Sequence, residues 1–258
     1  MVLCAFCLVL AGPAFGDTFS QNIVGYANLV FQPGVNLIAD QFLSTPDNSL
    51  DSILNASSSG GGLANNTEFT MWNGSAFLPL SVYNSSSDSW SHNYQLNLGQ
   101  GGYLISPTLV TNTFDGTVGP YFDGSSSNNV GWNPNYPNGL QLVSNPTPIA
   151  GDLNFEFSNV IGRAPVAGEG IAVLNPLTQT YDENFFNGTQ WIDQSTGNPS
   201  TAMLQVGQAA WFALGANYSM TIPSPVPEPG VWALVGMGVG LLFLRRRQPA
   251  RSLGAGGR

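Results

Sequence analysis

Three short motifs occur twice in this chain, in the same order, and their repetition constrains the fold more than any other feature. Gly34-Val35-Asn36-Leu37-Ile38-Ala39 returns as Gly139-Leu140-Gln141-Leu142-Val143-Ser144. Leu98-Gly99-Gln100-Gly101-Gly102-Tyr103-Leu104-Ile105 returns as Val206-Gly207-Gln208-Ala209-Ala210-Trp211-Phe212-Ala213. Between these flanks, Trp90 is matched by Trp191. The offsets are 105, 108 and 101 residues, so the copies differ in loop length alone. Self-similarity at a fixed period marks two copies of one structural unit. The roughly 210 residues between the chain's terminal segments suffice for one large or two small cores, and the duplication decides for two.

Within each copy the pattern is that of short strands. Leu29-Val30-Phe31 and Asn36 to Ala39 are separated by Pro33-Gly34, a turn signal. Phe69 to Trp72 leads into Asn73-Gly74 and then Phe77 to Leu80. Asn-Gly predicts a tight primed turn, in which both central residues take positive φ. The second copy repeats the pattern with Ile171 to Leu174, Asn175-Pro176 and Asn187-Gly188. Strands of this length with polar turns every eight to twelve residues suggest sandwiches or small barrels. Helix signals are few: Ser49 to Leu54, capped by Asp47 or Asn48, and a counterpart at Phe155 to Ile161. Ser57 to Gly62 and Gly124 to Asn129 read as flexible loops.

The termini predict export. Val2 to Ala11 is an apolar run of signal-peptide length, and Ala14-Phe15-Gly16 is a small-x-small cleavage site, so cleavage is expected after Gly16. No basic residue precedes the run, which points to a start codon upstream of Met1. Both cysteines, Cys4 and Cys7, lie inside this signal, and the processed chain therefore has no disulfide, thiol chemistry or cysteine metal site. There is no lysine. Between Asp17 and Pro229, Arg163 stands alone against fifteen acidic side chains. So anionic a body is a poor partner for nucleic acid or anionic lipid.

The C-terminus carries an ordered motif. Pro227-Glu228-Pro229 is followed by an uncharged apolar run, Val231 to Leu244, and then by Arg245, Arg246 and Arg247. A helix over that run would rise about 21 Å against a hydrocarbon core of about 30 Å. Trp232 anchors one end at the interface, and the arginines hold the other end in the cytoplasm. In this order the residues resemble the PEP-CTERM sorting signal. That resemblance covers 225–247. It implies a membrane-embedded exosortase as processing partner, cleavage near the triplet, and an inner-membrane precursor that reaches the cell surface or the exterior. Organisms with this system commonly make exopolysaccharide, which makes an envelope or biofilm-matrix setting, and exopolysaccharide as a partner, implications of the same resemblance. Residues 22–222 also resemble a duplicated β-repeat of uncharacterised secreted bacterial proteins, with the opening at Gly34 to Ala39, the hairpin at Met71 to Phe77 and the closing strand at Leu98 to Ile105. It carries no catalytic residues.

Chemistry is sparse. A Ser-His-Asp triad would need the single histidine, His92, which sits in a polar SDSWSHNY stretch that reads as a surface loop. One histidine and no available cysteine make no such metal site, and no cofactor motif occurs. Asp152 with Glu156, and Asp182 with Glu183, could be glycosidase pairs, but they read as loop-edge acids. Asp115-Gly116 and Asp123-Gly124 read as turns. Trp132 and Tyr136, in GWNPNYPNG, are the best candidates for stacking on a sugar ring; the alternative is that they pack the two copies together.

The expectation is an all-β, non-enzymatic protein. It comprises a signal peptide (1–16), two tandem β-sandwich- or barrel-like units (17–123 and 139–223) joined by a linker (124–138), a Pro-rich stalk (224–229), a transmembrane helix with its arginines (230–247) and a cytoplasmic tail (248–258). A carbohydrate-binding module is the alternative, and a polysaccharide-active enzyme a more distant one.

Overall fold

The computed structural model describes residues 24–54, 62–118, 136–215 and Ile222. The segments expected to form the signal peptide, stalk, sorting motif and C-terminal helix, together with Asp123-Gly124 and Trp132, lie outside the described residues. Among the described residues no helix is long and apolar enough to cross a membrane. They form an all-β protein of antiparallel sheets with two short helices.

The first copy contains β1 (Val24–Phe31), β2 (Gly34–Ile38), α1 (Leu50–Ile53), β3 (Glu68–Met71), β4 (Ser81–Asn84), β5 (Ser89–Trp90), β6 (Gly102–Ser106) and β7 (Val110–Thr117). The second contains β8 (Gly139–Val143), β9 (Gly151–Asp152), α2 (Leu153–Ile161), β10 (Gly170–Asn175), β11 (Thr180–Phe186), β12 (Trp191–Asp193), β13 (Met203–Leu204) and β14 (Ala210–Leu214). One five-stranded sheet has the order β2-β6-β3-β4-β5, the other β8-β14-β10-β11-β12. The orders are the same: opening strand at the edge, closing strand beside it, then a three-strand meander. Trp90 and Trp191 take equivalent places, opposite Tyr83 and Phe186.

Apolar residues sort into three layers. Leu37, Tyr103, Leu140, Leu142, Leu174 and Trp211 lie between the two sheets. On the far face of the first sheet, Phe69, Tyr83, Trp90 and Leu104 pack against α1 and the β1–β7 ribbon. On the far face of the second, Trp191 and Phe212 pack against Phe157 and Val160 of α2. Both faces of each sheet are covered, which is why β6 and β14 read as nearly unbroken apolar runs instead of alternating ones.

Local detail departs from expectation in several places. Asn73 does not take positive φ; only Gly74 does. In place of a primed turn, Asn73 Oδ1 accepts from the N–H groups of Ser75 and Ala76. Asn187 does the same with Thr189 and Gln190, a local side-chain turn characteristic of asparagine. Phe77 to Leu80 is not a strand: Phe77 forms one bridge to Trp72, and pairing resumes at Ser81. Asp115-Gly116 lies inside β7, opposite Tyr26 and Gly25, and is not a turn. α1 starts from Ser49, whose N–H donates to Asp47 Oδ1 at 3.0 Å. α2 begins two residues earlier than expected, because Asp152 caps it by accepting from Phe155 N at 2.8 Å; Gly162, in the left-handed region, ends it. Both tryptophan counterparts tie their strands to the helix region of their own copy: Trp90 Nε1 donates to Leu54 O at 3.3 Å, and Trp191 Nε1 to Asn154 Oδ1 at 3.1 Å.

Candidate functional site

A set of specific long-range polar contacts lies where the two copies meet. There the repeat motifs bond reciprocally. Ala39 N donates to Gly207 O at 2.9 Å and Ala209 N to Leu37 O at 3.2 Å. In the mirrored arrangement, Ser144 N donates to Gly99 O at 3.1 Å and Gly101 N to Leu142 O at 3.2 Å. The loop before each closing strand thus bonds the opening strand of the other copy. Gly99 and Gly207 both hold positive φ, and a Cβ on Gly207 would sit 2.5 Å from Leu29, so both conformation and space call for glycine. The pattern is that of an isologous two-fold interface, here within one chain.

The opening motifs owe their polar residue to a corner. Asn36 Oδ1 accepts from Gln32 N at 2.8 Å and its Nδ2 donates to Gln32 O at 2.9 Å. Its counterpart Gln141 donates to Pro137 O at 3.1 Å, the proline offering no N–H. The edge of β2 is closed from the other copy, since Gln179 accepts from Val35 N at 2.7 Å and donates to Val35 O at 3.1 Å, imitating a neighbouring strand.

At the centre of the junction the closing-strand counterparts touch. Trp211 Nε1 donates to Tyr103 Oη at 2.8 Å, and Tyr103 Oη lies 2.6 Å from Tyr181 Oη. Burial pushes both tyrosines up from the usual phenol range, so the cluster is a neutral hydrogen-bonded network. Trp72 and Phe77 meet Trp211 edge-on, and Trp72 Nε1 donates to Leu140 O at 2.9 Å. A groove of about 330 Å³ opens at the side of this junction, between β1, β2 and the 205–208 loop. Asn36 and Gln208 line it with amides already engaged in the fold; Gln208 Nε2 donates to Leu174 O at 3.1 Å.

The candidate residues from sequence fall as follows. Tyr136 is half-buried against the second copy's outer core; its hydroxyl donates to Gly99 O at 3.4 Å, and burial pushes it up to about 12. Trp132, Pro227, Glu228, Pro229, Arg245, Arg246 and Arg247 lie outside the described residues. Trp90, Trp191 and Trp211 are buried and Trp72 is half-buried. His92 is exposed, stacked on Tyr94 at 5.8 Å. The paired acids are not loop-edge groups. Asp152 caps α2 and Glu156 is buried within it, while Asp182 and Glu183 lie in the middle of β11. Among the described residues no group of three or more His, Cys, Asp or Glu side chains is placed to hold a metal ion.

Sequence reasoning missed Asp40 and Glu169. Glu169 is buried and accepts from Nη1 and Nη2 of Arg163, at 2.9 and 2.5 Å, and from Val166 N and Gly215 N. Burial alone would raise its carboxyl; the arginine and the two N–H groups outweigh that and hold it below the usual range. The isolation of Arg163 in an otherwise acidic body was the available signal for this pair. No protein-family model, curated protein or solved structure matches this chain.

Proposed function

We propose that this chain is an exported, non-enzymatic surface or extracellular-matrix protein. Its two β-units, 17–123 and 139–223, are delivered through a PEP-CTERM signal and processed by exosortase. The observation that carries the reading is the order Pro227-Glu228-Pro229, short apolar run, Arg245-Arg246-Arg247. Lying at the opposite end from a signal-type apolar run, the motif fits an exported precursor held in the inner membrane. The body is consistent with a binding or structural role. Its buried polar groups serve turns, corners and the junction, and its described tryptophans serve the core. Removal of the arginine tail would leave a strongly anionic product, suited to a hydrated polymer matrix and repelled by nucleic acid.

Mass spectrometry of the chain recovered from the cell surface is the direct test. The expected C-terminus lies within Pro227 to Pro229. A surface form that retains Arg245 to Arg247 would make the tail a plain membrane anchor and sink the sorting proposal.

A further inference from the structure

At the corner where each opening strand leaves its sheet, a buried carboxyl group faces a side-chain amide, and the copies exchange the two partners. In the first copy the acid is Asp40, just beyond β2. Asn48 Nδ2 donates to Asp40 Oδ2 at 2.9 Å, Ser44 Oγ donates at 3.2 Å, and Phe42 N donates to Oδ1 at 3.0 Å. In the second copy, position 40 is matched by Asn145, at the same 105-residue offset as the opening motif. Asn145 keeps the turn-forming role, its Oδ1 accepting from Thr147 N at 3.0 Å. The acid now comes from the helix. Glu156 of α2 faces the Asn145 amide, although neither Glu156 oxygen nor Asn145 Nδ2 reaches good hydrogen-bond geometry. A Cβ at Gly151 would clash first with the Phe155 ring and would also lie 2.8 Å from Glu156 Oε1, so the glycine leaves space for both side chains.

Both acids are out of water, Asp40 at 0% exposure and Glu156 at 1%. No cation compensates them. Arg163, the one arginine or lysine among the described residues, is engaged by Glu169. The charged groups that act on them are themselves acidic, Asp115 of β7 on Asp40 and Asp152 at the start of α2 on Glu156. A buried carboxylate with no cation beside it is costly. At Asp40 the donors Phe42 N, Ser44 Oγ and Asn48 Nδ2 return part of that cost, but burial outweighs them and the group keeps its proton. Burial, the largest cause in each case, pushes both up to about 7. The two corners are also joined. Gln41, beside Asp40, donates to Asn145 O at 2.8 Å and accepts from Gly207 N at 2.8 Å.

We propose that Asp40 and Glu156 form a proton-operated clasp on the junction of the two copies: as neutral acids they let both corners close, and as anions they loosen the junction from both sides. A raised carboxyl holds its proton in the folded chain after the unfolded chain has lost it. Its contribution is therefore fully present at acid pH, declines above the ordinary carboxyl range, and is lost as pH rises through about 7. Asp47, Asp193 and Glu169 are held low and act only at more acid pH. Asp182 is raised by burial and by Asp193, so it belongs among the controls.

Thermal unfolding of the full-length chain between pH 5 and 8.5 tests the clasp. The wild type should lose roughly 5 °C or more in Tm across that range. Asp40→Asn and Glu156→Gln should each remove part of the slope, and the double variant should lose most of it. His92→Gln should leave the slope intact, and Asp182→Asn, which removes a raised carboxyl on β11 away from both corners, should take away less of it than either clasp variant. A flat wild type, or a slope that the double variant leaves largely intact or that disappears in either control, overturns the proposal. If the variants fail to fold, the infrared carbonyl band of a protonated carboxyl decides on the wild type alone. The band should persist at pH 6 and vanish above pH 8, and its absence at pH 6 overturns the proposal.

Discussion

Trp211→Ala is expected to lower the unfolding free energy by about 4 kcal/mol, read by urea denaturation of the full-length chain. The indole is wholly buried between the two sheets, edge-on to Trp72 at 5.4 Å and Phe77 at 6.1 Å. Truncation removes one large ring from a layer that both sheets share. Neither sheet can collapse into the gap without breaking the reciprocal loop contacts, so the cavity term stays large. It also strips Tyr103 Oη of a donor, leaving Tyr181 as its remaining hydroxyl partner. Trp211→Phe keeps most of the ring and loses the N–H, and should cost about 1–2 kcal/mol. Equal losses for the two variants would show that the hydrogen bond, and not the volume, holds the junction.

Arg163→Ala should cost about 2 kcal/mol, because it leaves Glu169 buried with two N–H donors and no cation, while solvent screening at the 43% exposed arginine side chain keeps the loss below that of a fully buried pair. The guanidinium also sits 5.4 Å over the Phe157 ring, so Arg163→Lys should recover only part of the loss. The pH dependence is opposite to that of the clasp. Glu169 is held below the ordinary carboxyl range, so the pair's stabilisation is present above that range and is lost as pH falls through the depressed value. Denaturant midpoints across pH 3 to 7 should show this acid-side loss in the wild type and a smaller one in Arg163→Ala. An unchanged midpoint in Arg163→Ala would mean that the two backbone donors alone satisfy the carboxylate.

Much of the strand pattern was legible because it rests on neighbours in sequence. The asparagines that open the hairpin turns, the apolar closing strands and the matched Trp90 and Trp191 each announce a local element. The type of turn was not legible, because Asn-Gly allows both a primed turn and the side-chain turn that Asn73 and Asn187 adopt. The contacts at the junction were hidden for a different reason. Gln179 meets Val35 across 144 residues, and Gln41 meets Gly207 across 166. Nothing near either glutamine distinguishes it from a solvated one. Asp40 and Glu156 were hidden by the duplication itself: the acid lies on the strand corner in one copy and on the helix in the other, so aligning the copies matches an acid to an amide and masks the shared pair.

The place of β14 has a mechanical consequence. It is an interior strand, paired with β10 on one side and β8 on the other, and it is the last strand among the described residues. Its exit is pinned where Gly215 N donates to Glu169. A tug from the C-terminal end would therefore load two ladders in shear at once, instead of peeling an edge strand one bond at a time. A body built this way resists being unravelled from its C-terminal end.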